Sequence, residues 1–196
     1  MTVGELRRAA VDPFAGSRVA VESDAIRMEL ARPRAAINLR GRPGDAGFIA
    51  AIRGTGIRLP VEPNTWAGDD ERAAIWLGPD EWLVVAPDGE AATFEAAVRA
   101  ALPGDPWLSL VDLSHNYTTF LLSGSRVRDL LAKGCPLDLH PKAFRAGCSA
   151  QTMLAKSSVL LRALEDGGVV EIWLRNSFAD YTARWLLDAA TEFLRE

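Results

Sequence analysis

The sequence predicts an α+β fold made of two tandem strand-strand-helix-strand-strand-helix halves, with antiparallel or mixed sheets and helices packed on them. Three observations carry that expectation. Stretches of period-two alternation and stretches of helical spacing follow one another in the same order twice. Gly and Pro clusters stand between them. Ile37-Asn-Leu-Arg-Gly41 lines up with Phe120-Leu-Leu-Ser-Gly124, residues 48–59 line up with 127–139, and Trp82-Leu-Val-Val85 lines up with Val170-Glu-Ile-Trp173.

Residues 1–23 are read as an amino-terminal arm, in which Val3, Leu6 and Ala10 have helical spacing and Asp12-Pro-Phe-Ala-Gly16 stops the helix. The first half is expected over 24–106. Ile26, Met28 and Leu30 alternate with Ala25, Arg27 and Glu29; Ala31-Arg-Pro-Arg34 interrupts them, and Ile37 and Leu39 resume, which reads as a hairpin. Asp45 is placed to accept from the free amides of a helix over 46–53, with Phe48, Ile49 and Ile52 as its apolar stripe and Gly54 and Gly56 at its end. Residues 57–70, with Pro60, Pro63 and an isolated Trp66, read as a loop. Strands over 73–77 and 82–86 flank the turn Gly78-Pro-Asp-Glu81. A helix over 90–102 follows, with Asp88 as its cap and Phe94, Ala97, Val98, Ala101 and Leu102 along one face.

The second half, 107–196, is expected to join the first in one compact unit. Strands over 108–113 and 117–122 lead through Ser123-Gly-Ser125 to a short helix carrying Val127, Leu130 and Leu131 and ending at Gly134. A connection with Pro136, Pro141 and Gly147 follows, then extended segments over 151–154, 159–163 and 169–174, with Glu165-Asp-Gly-Gly168 as a turn. Ser177, three residues before Asp180, has the spacing of a capping box for a last helix bearing Phe178, Tyr181, Trp185, Ala189 and Phe193. Trp76, Trp82, Trp173 and Trp185 fall in these periodic elements and are assigned to the core, whereas Trp66 and Trp107 stand among Pro, Gly, Asn and Asp.

Composition narrows the function classes. At 196 residues, 48% hydrophobic and 24% charged, the chain has enough apolar surface for a core and lies outside the disordered regime. A net charge of -4 argues against nucleic acid as the partner, because phosphate binding needs a clustered positive field. Arg32, Arg34, Arg40 and Arg42 do cluster, yet alternation makes them a solvated face. Cys135 and Cys148 lack Cys-x-x-Cys spacing and read as free thiols of a reducing compartment. With no signal core after Met1 and no apolar run of membrane-spanning length, a soluble cytoplasmic protein with no membrane partner is expected.

No catalytic, cofactor-binding or metal site emerges from the residues. Asp112, Ser114 and His115 are the residue types of a hydrolytic triad, but alternation along a strand turns His115 away from the face shared by the other two. His140 precedes Pro141 in a loop, and two histidines with two cysteines at irregular spacing do not form a zinc set. Gly54-Thr-Gly56 follows a helix and lacks a third glycine, so a dinucleotide fingerprint fails on context. The carboxylates of Glu165 and Asp166 belong to a turn that favours them anyway.

Four blocks carry a family resemblance: Trp76-Leu-Gly-Pro-Asp-Glu-Trp-Leu-Val-Val-Ala-Pro87; Asp112-Leu-Ser114; Leu130-Leu-Ala-Lys-Gly-Cys-Pro-Leu-Asp-Leu-His-Pro-Lys-Ala-Phe144; and Asn176-Ser-Phe-Ala-Asp-Tyr-Thr-Ala-Arg-Trp-Leu-Leu-Asp-Ala-Ala190. From about residue 26 onward the chain resembles the gamma subunits of bacterial heterotetrameric sarcosine oxidases. The resemblance implies a complex with alpha, beta and delta subunits that oxidises sarcosine to glycine, with flavin, NAD and tetrahydrofolate held by the partner subunits and none by this chain. It also implies a fold like the folate-binding domain of glycine-cleavage aminomethyltransferases, whose opening 112–124 resembles. Those enzymes carry a carboxylate for the folate reaction in the strand-turn-strand after the long connection. Residues 153–164 here contain none, and of ionisable groups only Lys156 and Arg162.

The expectation is a non-catalytic subunit that packs on the large folate-binding subunit through irregular connections, with Trp66, Trp107, Phe144 and Arg145 as interface candidates, and that self-associates when isolated. The rival is a stand-alone folate-dependent aminomethyl transferase with its acid or base at Asp112 or Asp166. A scaffold with a reactive cysteine would need an activating cation near Cys135 or Cys148, and only Lys133 and Arg145 are close in sequence.

Overall fold

The structure is a computed structural model that describes residues 19–166 and 168–194; the helix expected around Val3, Leu6 and Ala10 lies outside them. In chain order the elements are β1 (Val19–Glu22), β2 (Arg27–Leu30), β3 (Arg34–Arg40), α1 (Ala46–Gly54), β4 (Trp66–Gly68), β5 (Ala73–Gly78), β6 (Glu81–Pro87), α2 (Ala91–Ala101), β7 (Ser109–Asp112), β8 (Tyr117–Ser123), α3 (Val127–Ala132), β9 (Ser149–Leu154), β10 (Ser157–Glu165), β11 (Val169–Arg175) and α4 (Ala179–Ala190). They form two antiparallel sheets, in the orders β1-β2-β8-β11-β10-β9 and β4-β5-β6-β3-β7.

Residues 33–114 make one unit around the second sheet. Asp45 caps α1 as its position predicts, its Oδ1 accepting from the amides of Gly47 at 2.8 Å and Phe48 at 3.2 Å. Phe48 and Ile52 from α1 and Phe94 and Val98 from α2 close over Ile37, Leu39, Trp82 and Val84. Burying apolar area of this kind is the main favourable term in holding the helices to the sheet. The cap position of α2 falls at Glu90 and not at Asp88. The Glu90 amide donates to Pro87 O at 3.1 Å, which closes a turn around Asp88 and leaves Glu90 at the helix start with no side-chain cap. Trp82 is fully buried and its Nε1 donates to Pro60 O at 2.8 Å, pinning the loop that precedes β4.

The other unit joins, among the described residues, 19–32 with those from 115 onward. Here α3 and α4 bring Val127, Leu130, Leu131, Ala183, Leu186 and Ala190 against Phe120, Leu122, Leu161, Val170 and Ile172. The last helix differs from expectation in two ways. A one-turn helix, Asn176–Phe178, leads into α4 with no side-chain cap, so Ser177 does not open a capping box. Asn176 instead accepts from Thr118 Oγ1 at 2.8 Å and donates to His115 O at 2.6 Å. The buried face of the helix is Ala179, Thr182, Ala183, Leu186, Ala189 and Ala190; of the expected stripe, Ala189 and Phe193 are buried and Trp185 packs against the core, while Phe178 and Tyr181 are exposed. Small residues let the helix axis approach the sheet closely, and that gain decides which face turns inward.

Neither sheet is built from one contiguous half. The expected hairpin of 26–30 with 35–40 does not form: β2 pairs with β8, Arg27 opposite Ser123 through Leu30 opposite Phe120, and Ala31 N extends that ladder to Thr119 O at 2.9 Å. Reciprocally, β7 leaves the second half and pairs with β3, Asp112 opposite Ile37, with Leu113 N reaching Ala36 O at 2.7 Å. Pro33 explains the first crossing. It fixes its own φ and drives Arg32 extended, so the chain runs onward instead of reversing. The duplicated halves therefore exchange their opening strands, and the contiguous boundaries 24–106 and 107–196 give way to 33–114 against the remainder.

The internal alignment survives this exchange. Ile37 faces Val84 across β3 and β6, and the aligned Phe120 faces Ile172 across β8 and β11; Leu39 faces Trp82 as Leu122 faces Val170. The first half has one strand more than expected, β4, while β9 answers the extended segment read at 151–154; the two occupy matching outer positions in the two sheets.

Candidate contact surface

Each polar group put forward from sequence has a structural role in its own unit. Ser114 Oγ donates to Asp112 Oδ1 at 2.5 Å, Ser114 N donates to the same oxygen at 2.9 Å, and Ser114 Oγ accepts from Ala36 N at 3.1 Å. The pair thus closes the turn after β7 and holds the end of β3, with the hydroxyl committed at both lone pair and proton. His140 lies in an Asx-type turn, its amide donating to Asp138 Oδ1 at 2.9 Å and its Nδ1 accepting from Lys142 N at 3.2 Å. Asp166 Oδ1 accepts from Ala146 N at 2.7 Å and so ties the long connection to the β10–β11 turn. Among the described residues no group of three or more His, Cys, Asp or Glu could hold a metal ion. Cys135 is buried in the core and Cys148 packs partly against it.

One charged constellation was not anticipated from sequence. Arg162 and Glu171 face each other across β10 and β11, with Arg162 Nε donating to Glu171 Oε2 at 2.8 Å and Trp173 Nε1 donating to the same oxygen at 2.9 Å. All three side chains are buried. A charge taken out of water is tolerated only when paired and hydrogen-bonded, and Glu171 Oε2 has both an opposite charge and two donors here. The signal was present in the sequence: a lone Arg inside the apolar run 159–163 and a lone Glu inside 169–174. The expectation that 153–164 offers no carboxylate stands as a statement about that segment, but the neighbouring strand delivers Glu171, already neutralised.

The four interface candidates separate. Phe144 is 3% exposed and belongs to the same core cluster as Leu139 and Leu130, so its side chain is turned inward and not presented on the surface of this chain. The Leu139 and Phe144 carbonyls both accept from Arg128, at 2.6 and 2.8 Å, and this folds the connection back onto α3. Trp66 does not sit in a loop; it opens β4, half-buried opposite Ile75. Arg145 is exposed on the connection before β9. Trp107 is 61% exposed, with the Arg42 guanidinium 5.4 Å from its ring centroid. Four residues along, on the same side of β7 as Ser109, Val111 is 48% exposed. Trp107, in the turn before β7, and Val111, within it, are exposed apolar side chains where the equivalent stretch around β2 has none as exposed.

This architecture, two antiparallel sheets that exchange their opening strands, defines the chain as an aminomethyltransferase-like fold. It matches the glycine cleavage system aminomethyltransferase T from Bartonella henselae at TM-score 0.55 and 16% identity, over 93% of this chain and 55% of that one. The chain belongs to the sarcosine oxidase gamma subunit family, whose model matches residues 40–192. It is 41% identical over 162 residues to the sarcosine oxidase subunit gamma of Corynebacterium sp. (strain P-1), covering 82% of this chain and 77% of that one. With the Arthrobacter sp. subunit gamma it shares 41% over 159 residues, 80% and 76% of the two chains. Among solved structures it is similar to the heterotetrameric sarcosine oxidase from Corynebacterium sp. U-96 in complex with pyrrole 2-carboxylate, at TM-score 0.80 and 32% identity over 96% of this chain and 91% of that chain.

Proposed function

We propose that the chain is the non-catalytic gamma subunit of a heterotetrameric sarcosine oxidase and supports the oxidation of sarcosine to glycine by packing on the large folate-binding subunit. Alpha, beta and delta subunits are its partners, and flavin, NAD and tetrahydrofolate reside on them. Location in the cytoplasm fits this role, and no described helix is long and apolar enough to cross a membrane.

The observation that supports the reading is that the carboxylates put forward for folate chemistry, and the buried Glu171 as well, are hydrogen-bonded within the fold. Asp112 holds Ser114, Asp166 holds the Ala146 amide, and Glu171 is shared by Arg162 and Trp173. A general acid or base must reach the reacting proton in a substrate pose, and groups so engaged are withdrawn from that work. Recovery of the affinity-tagged chain from its own cell tests the proposal. Co-elution of a flavoprotein with sarcosine-dependent activity is expected; a chain that elutes alone and turns over an aminomethyl or methyl donor contradicts it.

A further inference from the structure

We propose that the open edge of β7 is completed, in the assembled oxidase, by an extended segment of a partner subunit that adds as an antiparallel strand beside Trp107 and Val111. This rests on the proposal that the chain works inside that assembly.

The duplication supplies the argument. Ala31 N bonds Thr119 O in one sheet and Leu113 N bonds Ala36 O in the other, and Ala36 and Thr119 are themselves equivalent one residue before the aligned Ile37 and Phe120. The equivalence runs back along the exchanged strands, Leu30 to Asp112, Glu29 to Val111, Met28 to Leu110 and Arg27 to Ser109. In an antiparallel pair the bonded and non-bonded positions alternate. Since Leu113 is bonded inward to Ala36, Val111 and Ser109 also bond inward to β3, and the N–H and C=O of Leu110 and Asp112 point the other way. On β2 the corresponding outward edge is used: β1 lies along it, with Val21 opposite Met28. On β7, among the described residues, no strand pairs with that edge.

The side chains agree with the backbone. Where β2 presents Arg27 and Glu29, which pair with each other at 3.2 Å, β7 presents Ser109 and the exposed Val111. Exposed edges are ordinarily guarded by charge, Pro or a bulge, because unpaired backbone recruits another strand. Here the face beside the edge is apolar and ends on a Trp with an Arg over its ring, residue types that anchor interfaces. Backbone bonds to Leu110 and Asp112 would supply affinity, and an apolar side chain set against Val111 and Trp107 would supply selection, which is the mode of strand addition. A second copy of this chain would bring the same edge to itself; the heterotetrameric relative favours a partner polypeptide instead.

Amide-resolved hydrogen exchange on the isolated chain and on the co-purified complex tests this. Expected are fast exchange at Leu110 and Asp112 in the isolated chain, exchange slowed at least about a hundredfold at both in the complex, and slow exchange at Val111 in each. Val111→Lys, which places a charge on an exposed position, is expected to leave the isolated chain folded and to reduce recovery of partner subunits at least about tenfold. An intact complex in which Leu110 and Asp112 still exchange freely overturns the strand while sparing the subunit reading. Recovery of no partner at all overturns both. Protection already present in the isolated monomer, or appearing only with dimerisation of the chain alone, assigns the edge to this chain's own residues or to a second copy and overturns the proposal.

Discussion

Arg162 Nε lies 2.8 Å from Glu171 Oε2 across β10 and β11, with the two side chains 0% and 5% exposed. Removing one member of such a pair strands the other charge out of water. Glu171→Ala is expected to destabilise the chain by about 3–5 kcal/mol, measured by urea unfolding, whereas Arg162→Met combined with Glu171→Leu recovers much of that loss. A double change as costly as the single one would show that the charges hold something beyond each other.

Gly124 and Gly41 are equivalent positions under different constraints. At Gly124, φ is +125° and a Cβ would lie 2.4 Å from Ala25 O; at Gly41 an added Cβ would meet the Phe48 ring at 2.2 Å. Backbone cannot yield as a ring can. Gly124→Ala is expected to cost at least about 2 kcal/mol and Gly41→Ala less, by the shift in denaturation midpoint. The reverse order would contradict the close approach of β2 to this turn.

Phe144 and Trp107 separate stability from assembly. Phe144→Ala empties a core position and is expected to cost about 3–5 kcal/mol in unfolding experiments. Trp107→Ala is expected to change stability by no more than about 1 kcal/mol while weakening retention of the partner subunits in size-exclusion chromatography.

The carboxyl-terminal turn is held by cations. Lys133 Nζ is 4.6 Å and the Arg126 guanidinium 5.1 Å from the Phe193 ring centroid, and Lys133 Nζ also donates to Ala189 O at 2.5 Å. Phe193→Leu keeps much of the buried apolar volume but loses the ring face, so it is expected to cost about 1–2 kcal/mol by thermal unfolding. A neutral outcome would leave only packing at that site.

The sequence carried the local structure better than the pairing. Asp45 announced α1 because a cap acts within one turn of its own position, and continuous apolar runs marked β6 and β11 because those strands are buried on both faces. The partners of Arg27–Leu30 and Ser109–Asp112 were not legible: pairing is a long-range choice, and the exchange leaves each strand's own pattern unchanged. The stripe of α4 held at Trp185, Ala189 and Phe193 but misled at its first turn, where Phe178 and Tyr181 are exposed and close packing rewards the smaller Ala179 and Ala183. Of the contact candidates, the exposure of Trp107 was legible from its Pro, Gly and Asp neighbours; the burial of Phe144 was not, because Arg128 folds its connection back onto the core.

Steady-state sarcosine turnover by the assembled complex, with Asp112→Asn and Asp166→Asn introduced together in this chain, tests the central claim most directly. Asn retains a side-chain oxygen to accept from Ser114 and Ala146 but cannot serve as acid or base. The account expects kcat within about twofold of the unaltered complex; a fall of about a hundredfold or more with the assembly intact would place the chemistry in this subunit and contradict it.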